Sequence, residues 1–169
     1  YKHLVCDQAR NEMIVNSIKQ SVNHDRSVMV LTERKEHIEL LAKLMADKGI
    51  KVVELHGGIS TKQRQERITF LSSKPSNDEA VVILATGKYV GEGFDLPHLD
   101  TLFITLPIAW KGILAQYAGR IQREWSSKTV IQVYDFIDDF PTLQRMWKKR
   151  EKGYKALGYK FNEQKNLDL

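Results

Sequence analysis

The run from Ala80 to Ala85 is apolar at every position, and this constrains the fold more than any other feature of the chain. A strand with no polar face cannot turn one side to water, so it must lie in a sheet covered on both faces. Ser27 to Thr32 has the same character, and Lys51 to Leu55, Thr101 to Thr105 and Val130 to Tyr134 supply three further short strand candidates. Helical patterns separate them. Arg34 to Lys48 repeats Ile38, Leu41, Leu44 and Met45 as a stripe and ends at Gly49. Ser60 followed by Gln63 is a capping-box signal that opens a helix through about Leu71. Trp110 to Glu124 and Pro141 to about Leu157 follow the fourth and fifth strands, and Gln8 to Ser21 precedes the first. Alternation of this kind predicts an α/β domain with a mostly parallel central sheet between two helical layers.

Composition narrows the setting. The chain has 169 residues, 42% of them hydrophobic and 28% charged, which suits a single core. It contains no apolar run of membrane-spanning length, so no membrane partner is expected. The single Cys6 excludes an internal disulfide and fits a reducing compartment, giving a cytoplasmic expectation. His3, His24, His37, His56 and His98 are scattered without ligand spacing, so no metal site is expected. A first residue of Tyr1 rather than Met predicts a piece cut from a longer protein. The expected organisation is a leading helix over residues 1–26, a core over 27–140 and a basic helix with a frayed tail over 141–169. The formal net charge of +5 is compatible with a polyanion partner, and Lys148, Lys149, Arg150, Lys152, Lys155 and Lys160 concentrate it near the end.

The chemistry should gather at one edge, because ligands of open parallel sheets sit outside the carboxyl ends of the strands. Thr32-Glu33-Arg34, His56-Gly57-Gly58 and Thr86 to Asp95 all fall there. The glycines Gly87, Gly91 and Gly93 let backbone N–H groups approach an anion, and Asp95 can accept from a ribose hydroxyl; a plain structural turn explains them equally well. In the helix that follows, Gln116, Arg120 and Arg123 fall on one stripe, with Trp110, Leu114, Tyr117 and Ile121 opposite. Two guanidiniums one turn apart beside Gly119 can clamp phosphate oxygens, although most arginine pairs on helices are ordinary solvated charge. The sequence holds no GxxxxGK[ST] cradle for a nucleotide and no serine-nucleophile turn. Asp135, Asp138 and Asp139 suggest a helix-start cluster before Pro141 rather than a metal site. Arginines without a phosphate cradle are the half of a phosphoryl-transfer site that one domain lends to another.

In order along the chain, these segments resemble the second RecA-like lobe of superfamily 2 helicases, the helicase C-terminal domain. Ser27 to Lys35 resembles motif IV, Val53 to Leu71 the motif IVa region, Ala85 to Pro97 motif V, and Gln116 to Arg123 matches motif VI, QxxGRxxR. Gln116 at the head of motif VI points to the DExH-like, type III restriction and phage-helicase branch, since the DEAD-box form usually has His there. Gly87-Lys88 stands where many relatives carry an acidic residue.

The resemblance implies a RecA-like three-layer α/β/α fold and an ATP-dependent helicase or translocase. Arg120 and Arg123 would be arginine fingers on the γ-phosphate of ATP, sensed by Gln116, with Gly91, Glu92, Gly93 and Asp95 lining the nucleotide. ATP and its Mg2+ would be held mainly by an N-terminal RecA-like lobe outside these residues, so neither is expected on this piece alone. Thr32 and Thr86 would bond successive phosphates of single-stranded or duplex nucleic acid, DNA favoured over RNA, with Arg34 and Gly57 nearby. The alternative is a non-catalytic RecA-like module kept to bind nucleic acid or a partner.

Overall fold

A computed structural model of the chain describes residues 1–73, 80–87, 96–110, 112–122 and 130–162, without the side chains of Ile113 and Arg120. The polar loop expected over Lys74 to Asp78 and the tail from residue 163 onward lie outside the described residues. The strands are β1 (Val28–Thr32), β2 (Lys51–Leu55), β3 (Val81–Thr86), β4 (Thr101–Ile104) and β5 (Gln132–Asp135). They form one five-stranded sheet in the order β2-β3-β1-β4-β5, and every pairing is parallel. The helices are α1 (Lys2–Cys6), α2 (Gln8–Asn23), α3 (Lys35–Asp47), α4 (Thr61–Ser73), α5 (Ile113–Arg120) and α6 (Pro141–Ala156).

Strand alternation sorts the core into two layers. Met29, Leu31, Ile83, Ala85, Leu102 and Ile104 face Leu71 of α4 and Leu114 and Tyr117 of α5. Val28, Val30, Val82, Leu84 and Phe103 face Ile14, Val15 and Ile18 of α2 and Ile38, Leu41 and Met45 of α3. Every residue of β1 is buried, as the unbroken apolar run required. The fold is therefore the three-layer α/β/α arrangement of RecA-like domains. Gly49, at φ +73, turns the chain out of α3 in the left-handed conformation that glycine adopts most readily. The Ser60 and Gln63 capping box forms in both directions, with Ser60 N–H donating to Gln63 Oε1 at 2.9 Å and Gln63 N–H to Ser60 Oγ at 3.2 Å.

The structure corrects some boundaries. Helix α5 begins at Ile113 rather than Trp110, because Gly112 at φ +58 interrupts any helix entering from Trp110. Strand β5 begins at Gln132 rather than Val130, whose carbonyl instead accepts from Arg26 Nη2 at 2.8 Å. Helix α1 lacks a periodic signal and appears as a single short turn whose Leu4 and Val5 pack on Leu106.

Helix α6 is fastened to the sheet by a buried cation. Arg150 is 1% exposed and donates to Asp135 through Nε at 2.7 Å and Nη2 at 2.9 Å, and to the Ile108 carbonyl at 3.1 Å. Tyr154 donates its hydroxyl to the same carboxylate at 3.1 Å; burial first, and then that carboxylate, push the phenol pKa far up. Beside it, Trp110 lies flat on Gly153, where a Cβ would meet the indole at 1.7 Å. Removing one partner from a buried pair strands the other charge in a low dielectric. Arg150→Met is therefore expected to lower unfolding free energy by about 3–5 kcal/mol in urea titration, and adding Asp135→Leu should recover part of the loss. A single-variant loss below about 1 kcal/mol, the range of an exposed pair, would contradict this role.

Candidate functional site

Because all five strands run the same way, their carboxyl ends share one edge. Thr32 closes β1 and Thr86 closes β3, and the register pairs these two residues directly. Arg34 is exposed at the N-cap of α3, and Gly57 is exposed in the turn after β2. An open cleft of about 610 Å³ lies at this edge. Leu31, Glu33 and Arg34 from the end of β1, Gly87 after β3 and Pro107 after β4 meet Leu114 of α5 in its walls. Glu33 touches solvent, yet the surrounding walls desolvate its carboxyl and raise its pKa.

Thr32 is placed differently from Thr86. It is fully buried, and its hydroxyl lies 2.9 Å from His37 Nδ1, while His37 Nε2 lies 2.9 Å from Asn11 Oδ1. The direction of these bonds follows from their far end. Asn11 Nδ2 donates to the Val5 carbonyl at 2.8 Å, so Asn11 presents its oxygen to the imidazole. His37 must then carry its proton on Nε2, and Nδ1 accepts from Thr32. In this arrangement the Thr32 hydroxyl bonds to His37 within the fold. Thr86, at the end of the neighbouring strand, is half-buried rather than fully buried. His37 is held neutral, with a pKa lowered to about 4, first by burial and then by the Arg10 guanidinium.

The turn after β2 has a similar internal lock. Gly58 N–H donates to His56 Nδ1 at 2.9 Å, and His56 Nε2 faces Glu54 Oε2 at 3.3 Å. A Cβ at Gly58 would approach the His56 ring at 2.9 Å and Lys35 Cε at 2.8 Å. The geometric demand for glycine in this turn therefore includes Gly58, next to the Gly57 that sequence reasoning selected.

Helix α5 turns Leu114, Tyr117 and Ile121 into the core and leaves Gln116 exposed, as its periodicity predicted. Arg120 is its last residue, on the same stripe by helical spacing. Among the described residues nothing lies within 4 Å of a Cβ placed at Gly119, so none of them demands a glycine there. Arg123, Gly91, Glu92, Gly93 and Asp95 lie outside the described residues. Thus Thr32, Thr86 and Arg34 come together at one edge, whereas Gln116 stands on the outer side of α5 and does not line the cleft.

Sequence reasoning missed the buried polar partners. Asp135 and Asp138 do not cap α6, whose N-cap Phe140 makes no side-chain cap bond. They receive arginines from distant segments: Asp135 that of Arg150, and Asp138 that of Arg10 at 2.8 and 3.0 Å. No local pattern announces a pairing between Arg10 and Asp138, 128 residues apart. His37 did carry a signal, since it lies four residues before Leu41 on the apolar stripe of α3.

The helicase conserved C-terminal domain model matches residues 9–125, more than half of the chain. Helicase candidate 161L of Invertebrate iridescent virus 6 is 30% identical over 92% of the chain, which spans 36% of that protein. Transcript termination protein OPG145 of Variola virus is 29% identical over 73% of the chain and 24% of its own length. The chain therefore spans about a third or less of these two relatives. Among solved structures, T4 UvsW superposes with a TM-score of 0.73 at 20% identity, covering 92% of this chain and 34% of that one. Domain 2 of the DEAD-box helicase Mss116p, bound to an RNA duplex, superposes with a TM-score of 0.55 at 20% identity, covering 76% and 50%.

The neutral His37 makes stability depend on pH. Its folded pKa of about 4 lies below the ordinary 6.5, so the stabilisation is complete above pH 6.5 and is lost as pH falls toward 4. Relative to His37→Gln, the wild type should lose about 2 kcal/mol between pH 6.5 and pH 5, read by urea unfolding. Parallel pH profiles for the two proteins would contradict a buried neutral imidazole.

Proposed function

Because the chain belongs to the helicase conserved C-terminal domain family, within superfamily 2, we propose that it is the second motor lobe of an ATP-dependent helicase or translocase. In this reading the lobe binds no nucleotide by itself. Arg120 and Arg123 complete an ATP site whose cradle and Mg2+ belong to a first RecA-like lobe, and Gln116 senses the γ-phosphate. Gly91, Glu92, Gly93 and Asp95 line the same nucleotide. The observation that carries the reading is Gly119. A glycine inside a helix costs about 1 kcal/mol relative to alanine, and among the described residues nothing packed against it calls for one. A surface kept bare at some cost in stability is what close approach of another lobe requires.

The strand grip belongs to the carboxyl edge. Thr86, Arg34 and the turn at Gly57 meet phosphates of single-stranded or duplex nucleic acid, which gives little sequence preference. Thr32, paired in register with Thr86, belongs to the same proposed grip, its hydroxyl also lying 2.9 Å from His37 Nδ1. Closure of two lobes on ATP and reopening after hydrolysis then moves the grip along the strand. The leading residues 1–26 form part of the lobe, with α2 packed in one of its core layers, and residues 141–169 extend it.

In a longer protein carrying both lobes, Arg120→Ala and Arg123→Ala should each abolish ATP turnover while leaving unfolding unchanged. Gly119→Ala should cut turnover as well, yet raise the stability of this lobe by about 0.5–1 kcal/mol. Wild-type turnover by either arginine variant would sink the proposal.

A further inference from the structure

Helix α6 separates two kinds of positive charge. Arg150 points inward to Asp135, while Arg145, Lys148, Lys149 and Lys152 are all exposed on the opposite side. At 100° per residue these four fall within an arc of roughly 100°, and at 1.5 Å rise they span about 10 Å of helix. Among the described residues none of them has a carboxylate partner, and Arg145 donates only to Thr142 Oγ1 at 3.2 Å. The acid of this helix, Glu151, is occupied by Lys155 at 2.6 Å. Some exposed or partly exposed cations elsewhere are matched, as Lys35 is by Glu39 at 3.2 Å and Lys48 by Glu12 at 3.1 Å, while others such as Lys19 and Lys43 stand singly rather than in a stripe.

The stripe is also rigidly mounted. Besides the Arg150 clamp, Tyr159 donates to the Ala118 carbonyl of α5 at 2.7 Å and Gln122 Nε2 to the Leu157 carbonyl at 2.8 Å. Helix α6 is thus locked to α5 and to the carboxyl end of β5, on the edge where the strand grip is placed. Like charges held this close repel one another and destabilise the lobe unless a polyanion screens them.

We infer that the outward face of α6 is a second phosphate-binding surface, one that takes the sugar-phosphate backbone of nucleic acid beyond the Thr86 and Arg34 edge. The choice of ligand rests on the motor-lobe reading. Lysines acting as point charges would hold the backbone without reading bases.

The test is fluorescence anisotropy of the 169-residue chain with a labelled mixed-sequence single strand across about 50 to 200 mM salt. A variant with Arg145→Gln, Lys148→Gln, Lys149→Gln and Lys152→Gln should bind more weakly, with a log–log salt slope shallower by about 2–3, near 0.7 for each phosphate. Changing the three lysines to arginine should preserve the slope. A second variant, Arg34→Ala with Thr86→Ala, separates the two ideas. If only this edge variant weakens binding, the α6 surface is wrong and the grip stands. If only the glutamine variant does, the α6 surface stands and the edge reading fails. A wild-type chain that does not bind the strand, or binds polyglutamate equally well, overturns the α6 surface.

Discussion

The buried Arg150–Asp135 pair is the joint on which the working edge of this lobe depends. Asp135 ends β5, Arg150 comes from the middle of α6, and the same guanidinium holds the Ile108 carbonyl in the chain leaving β4. One charged group therefore sets the last strand, the last helix and the segment leading to α5. Such a pair is not favoured for its energy alone, since desolvating two ions offsets most of their attraction. Its value is directional: an apolar contact could slide, but a bidentate fork bonded at three points cannot. Trp110 against the bare backbone of Gly153 adds a steric stop beside it.

A second polar chain supports the opposite layer. Val5, Asn11, His37 and Thr32 link the leading helices to the end of β1 through bonds of 2.8–2.9 Å. Arg10 and Asp138 lie next to this chain and tie α2 to the residues after β5. The amino-terminal helices are thus bonded into the edge that carries Thr86 and Arg34. A shift in those helices has a physical route to that edge.

Much of the fold was legible because it rests on short-range rules. Unbroken apolar strands required two covered faces, Gly49 ended α3, and Ser60 with Gln63 opened α4. The misplaced start of α5 came from a local choice, Gly112 taking a positive φ, and that of β5 from a long-range one, the Val130 carbonyl accepting from Arg26. The site was legible in a different way. Motif spacing located the edge residues and the α5 stripe, but not what their hydroxyls and carboxylates bond to. The family resemblance implied a phosphate contact for Thr32, but nothing in the sequence announced its contact with His37. Asp135 and Asp138 looked like caps because their arginine partners are remote in sequence.

In the proposed reading this lobe is half of a catalytic site: it presents charge and a bare helix surface, with no phosphate cradle in its sequence. That account is tested most directly by steady-state ATP hydrolysis, comparing the 169-residue chain alone with a longer protein that includes a first RecA-like lobe. It predicts background turnover for the isolated chain and turnover stimulated by nucleic acid for the two-lobe protein. Robust hydrolysis by the isolated chain would contradict it.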